Sequence, residues 1–107
     1  MAISRKGIRN ITVDGQLYVW RANSDSDGGF NITVSSKEGN GQLLTAYVDI
    51  VNSGKGVLII TAYIVRQMIV LGLAAGWTPN EKKTALRLNR INERLNLEKA
   101  TYANNHN

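Results

Sequence analysis

Between Ile60 and Trp77 the chain carries its longest apolar stretch, "ITAYIVRQMIVLGLAAGW", with Arg66 and Gln67 in the middle of it. Thr61 is placed as an N-cap, nothing from Ala62 to Ala75 breaks a helix except the tolerated Gly72, and Gly76 stands where a left-handed C′ residue is wanted. Trp77 then packs back on the last turn. The segment predicts a helix of about 14 residues, or ~21 Å, whereas a bilayer core needs about 20 uncharged residues. Extending it back to Val57 reaches spanning length only by putting Arg66 near the centre, at a cost of about 2.5 to 3.5 kcal/mol. A helix packed on the rest of the protein is the better solution, with Arg66 and Gln67 on its wet edge.

What it packs on is set by the first half of the chain. "DG" at Asp14 and Gly15 separates two alternating runs, a strong hairpin signal, so residues 8–13 and 16–22 should pair as antiparallel strands. In the second strand Leu17 and Val19 face one way, Tyr18 and Trp20 the other. "FNITVSS" puts Phe30, Ile32 and Val34 on one face and Asn31, Thr33 and Ser35 on the other, a half-wet strand. "QLLTAYVDIV" has an apolar row, Leu44, Ala46, Val48 and Ile50, opposite a mixed one, Leu43, Thr45, Tyr47 and Asp49. "VLII" adds a short fifth strand.

Beyond the apolar helix, "TPNE" reads as a capping box, with Thr78 as N-cap, Pro79 at N1 and Glu81 at N3. A second helix is expected from Pro79 to Ala100. At 100° per residue it gathers Ala85, Leu88, Ile91, Leu95 and Tyr102 on one side, and Lys83, Arg87, Arg90 and Arg94 within about 60° of one another on an adjacent side. The alternative leaves "TALRL" as a short strand and a helix only from Asn89.

The fold expected is therefore α+β in one domain. An antiparallel meander of four or five strands over residues 8–60 is packed by a buried helix over 61–76. A basic amphipathic helix follows over 79–100, and 103–107 form a frayed tail. At 107 residues one core suffices without staples.

Having these residues in hand, the chain resembles a family of small uncharacterised bacterial proteins. The family pattern joins an "I-x-V-x-G-x-x-Y-x-W" strand pair, here Ile11, Val13, Gly15, Tyr18 and Trp20, to a helix ending in "G-W-x-P", here "ITAYIVRQMIVLGLAAGWTP". Ala62 stands where that pattern often has proline. The match spans about two thirds of the chain, and its motifs form the fold rather than an active site. What the resemblance implies is an α+β domain with no active site to transfer.

Composition narrows the chemistry. There are no cysteines, which excludes disulfides, thiolate metal sites and cysteine nucleophiles, and the single histidine, His106, lies next to the terminus. "NSDSDGG" begins like a calcium loop, with Asn23, Asp25, Asp27 and Gly28, but Val34 replaces the bidentate Glu, so no metal is expected. "NSGKG" at Asn52–Gly56 lacks the phosphate-loop syntax, since Lys55 is followed by Gly56. No cofactor and no enzyme activity are expected. "MAISRKGIRN" shows no apolar core of a secretory signal, which makes a cytoplasmic location the expectation.

Lys and Arg outnumber Asp and Glu by 13 to 8, for a net charge of +5. Residues 61–107 hold seven basic and three acidic side chains, so the C-terminal part is the basic end. The function expected is a small interaction protein that binds a macromolecular partner through its C-terminal helix or its spare sheet face. The alternative is nucleic-acid binding by Lys83, Arg87, Arg90 and Arg94, with Arg66 as a further cation and Tyr18 and Trp20 as base-stacking rings. A homo-oligomer through exposed Leu and Tyr rows is a third outcome; membrane association is not expected.

Overall fold

The computed structural model describes residues 7–25, 28–50 and 56–103. Asp14 and Gly15 turn the chain with φ of 52° and 80°, the type I′ geometry whose twist matches the flanking strands. They join β1 (Arg9–Val13) to β2 (Gln16–Asp25), with Val13 opposite Gln16 and Arg9 opposite Trp20. Antiparallel β3 (Gly29–Ser36) and β4 (Leu44–Asp49) follow. The alternation of apolar residues sends Ile32, Val34, Leu44 and Val48 to one face, where each is fully buried.

The helix α1 (Ala62–Ala74) covers that face with Ile64, Val65, Met68 and Ile69, all fully buried. Gly72 lets helix and sheet approach closely, because a Cβ there would stand 2.6 Å from Leu44 Cδ2. The helix ends as its sequence requires. Gly76 has φ 99°, Trp77 N donates to Gly72 O at 2.9 Å, and Gly76 N donates to Leu73 O at 3.2 Å, the two bonds of a Schellman motif. Trp77 then folds back against Tyr18, ring centroids 5.4 Å apart. No helix among the described residues is long and apolar enough to cross a membrane.

Two expectations are corrected. "VLII" supplies β5 (Val57–Ile59), but β5 is not part of the meander. Beyond α1 come β6 (Leu86–Arg90), a 3-10 turn (Asn92–Arg94) and β7 (Thr101–Ala103), and β5 pairs with β7 in a separate two-stranded sheet. The fifth strand of the main sheet is β6, parallel to β4, in the order β1-β2-β3-β4-β6. A C-terminal amphipathic helix over 79–100 is accordingly absent, and α1 is the only α-helix among the described residues. The strand reading of "TALRL" holds in part, as β6, but the helix from Asn89 that goes with it is absent too, with only the 3-10 turn in its place.

The reason lies in hydrogen bonds that "TPNE" could not reveal. Glu81 N donates to Thr78 O at 3.0 Å, closing one turn with Pro79 at its second position, and a single turn looks locally like a helix start. Thr78 does not cap; its N and Oγ1 both donate to Gln42 Oε1, at 2.8 and 3.1 Å, while Gln42 Nε2 donates to Thr84 O at 2.7 Å. Further on, Asn92 Oδ1 accepts from Asp49 N at 2.8 Å and Asn92 Nδ2 donates to Asp49 O at 3.1 Å. Gln67 pairs in the same two-bond way with the backbone of Asn96, at 2.8 and 2.6 Å. Three side-chain amides thus tie residues 78–96 to β4, α1 and the loop before β4 instead of leaving them free to coil into a helix. Pairing with β6 also gives β4 the backbone partners an edge strand lacks.

Candidate functional site: the open face of the sheet

One face of the five-stranded sheet lies under α1, and no described element lies over the other. The registers define what that face presents. Arg21 of β2 pairs with Thr33 of β3, Thr33 with Thr45 of β4, and Thr45 with Arg87 of β6. A single row therefore crosses four strands as Arg–Thr–Thr–Arg, the backbone positions of its two arginines about 14 Å apart at three strand spacings. The next row runs Asn23, Asn31, Tyr47 and Arg90. Between them the face forms a shallow hollow of about 430 Å³, lined by Asn31, Thr33, Thr45, Tyr47, Arg87 and Asn89 among others.

Local structure positions these groups. Tyr47 leans across Gly29, where a Cβ would collide with its ring, so the glycine is the bed on which the aromatic lies. Arg90 makes an ion pair with Asp49, Nε to Oδ2 2.7 Å, at the end of the same face. The ladder between β4 and β6 shifts register between Thr45 and Tyr47, next to Asn89, whose φ is 62°. That irregularity turns Arg87 and Arg90 onto the same face although they are three residues apart.

The residues singled out from the sequence are dispersed. Lys83 sits in the loop before β6, with its Nζ 3.3 Å from Glu81 Oε1. Arg87 and Arg90 are in β6, and Arg94 is in the 3-10 turn, so the four do not form a helical stripe. Arg66 is exposed on α1, and its Nη2 donates to Thr12 O at 3.2 Å near the β1 edge. Tyr18 and Trp20 are core residues on the α1 side, 3% and 5% exposed, and cannot stack on an incoming base as they stand. Burial, and then the charge of Asp14, push the Tyr18 hydroxyl above its usual pKa.

Arg21, Thr33, Thr45 and Tyr47 carry the face; the sequence alone puts Thr33 on a half-wet strand and Thr45 and Tyr47 in a mixed row, and does not single out Arg21. Which residues stand side by side across strands depends on register. Elsewhere, Asn23 and Asp25 of the calcium-like segment are ladder residues of β2 opposite Asn31 and Gly29, and Asp27 lies outside the described residues. Asn52 to Lys55 of "NSGKG" and the tail from 104 onward, with His106, also lie outside them.

No family model matches the chain, and no curated protein and no solved structure is detectably similar to it.

Proposed function

We propose that this is a non-enzymatic interaction protein whose open sheet face docks an acidic segment of a macromolecular partner. The observation that carries the reading is the row Arg21–Thr33–Thr45–Arg87, over which no described element lies, two cations bracketing two hydroxyls at fixed backbone spacing. Guanidinium groups are suited to carboxylates, and threonine hydroxyls both donate and accept. The net charge of +5 adds long-range attraction for such a partner. The resemblance to the small bacterial family fits this reading, since Ile11, Val13, Tyr18 and Trp20 of its pattern are buried and serve the core. A cytoplasmic location belongs to the same proposal.

Retention on immobilised polyglutamate tests it. The wild-type protein should elute at higher salt than Arg21→Ala/Arg87→Ala; Arg87 is exposed and Arg21 half-buried outside the core, so both substitutions should leave the fold intact. Equal elution of the two proteins would count against the face.

Single-stranded nucleic acid is the second reading, favoured by Tyr47 beside Arg87 on the same face. With Arg90 already paired to Asp49, two free cations would set a slope of log K against log salt near about −1.4. Binding to an oligonucleotide with that slope, lost in Tyr47→Ala, would favour this reading over the peptide one.

A further inference from the structure

We propose a second site on the opposite side of the sheet, a groove that takes a small amphipathic carboxylate. It runs from the first residues of β1 and the middle of β2 to the junction of β5 with α1. Two adjoining hollows of about 410 and 440 Å³ share Arg9, Trp20, Ile59 and Ile60 as common walls. Each is within the range of small-molecule pockets. One half is apolar, with Ala22, Phe30, Ile50 and Val57. The other contains Asn10, Thr61 and Ala62 at the start of α1.

Two polar groups there lack a partner among the described residues. Trp20 is 5% exposed and its indole Nε1–H has no acceptor; Thr61 Oγ1 is likewise buried and unbonded. The contrast with Trp77 is informative, because that indole donates to Gln42 O at 2.8 Å. An unpaired buried donor is destabilising, and a ligand oxygen would relieve it. Thr61 occupies the N-cap position of α1 yet makes no cap bond, and the first turn holds no acidic residue. The N–H groups of Ala62 and Tyr63 precede the intrahelical ladder, so this positive helix end is uncompensated.

Arg9 adds a full charge, its guanidinium carbon 5.9 Å from the Trp20 ring centroid, and no described residue lining either hollow is acidic. Donors and positive charge converge at one end, and apolar side chains continue from it. That asymmetry fits an oxyanion head with an apolar body. Arg9 is exposed and can swing to admit the head to the shielded indole.

The test uses decanoate, below its micelle-forming concentration, titrated into the ¹⁵N-labelled protein. The two tryptophans give two indole N–H signals, assigned with Trp77→Phe. The Trp20 signal should shift and saturate while that of Trp77 stays in place. Decan-1-ol should bind at least tenfold more weakly, and so should decanoate to Arg9→Ala, a surface change that leaves the core intact. An unmoved Trp20 signal overturns the proposal. So does an equal response to acid and alcohol that Arg9→Ala leaves unchanged, which would be apolar adsorption alone. Neither result bears on the open face, which lies across the sheet.

Discussion

Gln42 is the residue on which the course of the C-terminal segment turns. It is 7% exposed, its side chain bonds both Thr78 and Thr84, and its carbonyl accepts the Trp77 indole. Removing the amide leaves the Thr78 N–H and the Thr84 carbonyl without their partner in a part-buried place. Gln42→Ala should cost about 2 to 3 kcal/mol in urea unfolding, whereas an unchanged midpoint would mean that the clamp is incidental. Tyr18 makes a pH prediction. Its folded pKa is raised by burial and by Asp14, so the native state holds the phenolic proton more tightly than the unfolded chain does. Stability is therefore unaffected below about pH 10 and falls as pH rises above it, where the unfolded state ionises first. In Tyr18→Phe this contribution to the alkaline loss should disappear, read as a flatter melting temperature between pH 9 and 11.

Among the elements, α1 and the first hairpin were legible because their signals are local. Asp14-Gly15 requires positive φ at two consecutive positions, and Gly76 with Trp77 closes a helix end within six residues. The segment after Trp77 was not, because "TPNE" describes a turn and a first helical turn equally well. What decides between them is Gln42, 36 residues earlier in the chain from Thr78. The period-two spacing of Leu86 and Leu88, both half-buried, was the available clue. The packing of α1 makes its own prediction. Alanine at position 72 improves helix propensity by about 1 kcal/mol. It also drives a methyl into the side chain of Leu44, which is fully buried and must shift to admit it. Overpacking of this kind costs about 1 to 3 kcal/mol, so Gly72→Ala should be net destabilising by about 1 kcal/mol in thermal or denaturant unfolding.

For the molecule as a whole, the helix and the covered sheet face make the core, and the polar rows make the surface that remains. Both sets of rows were readable strand by strand, since Thr33 and Thr45 alternate with buried Ile32, Val34, Leu44 and Ala46. Their alignment into Arg21–Thr33–Thr45–Arg87 was not, because the last member comes from a strand that reaches β4 in parallel after a helix. The basic C-terminal end thus delivers Arg87 to the edge of an N-terminal sheet instead of presenting a helix of its own. A backbone amide shift map of the ¹⁵N-labelled protein with a short polyglutamate peptide tests this assignment most directly. The account predicts shifts centred on Arg21, Thr33, Thr45 and Arg87 that vanish in Arg21→Ala/Arg87→Ala. Shifts spread along α1 instead, or none at all in the folded protein, would contradict it.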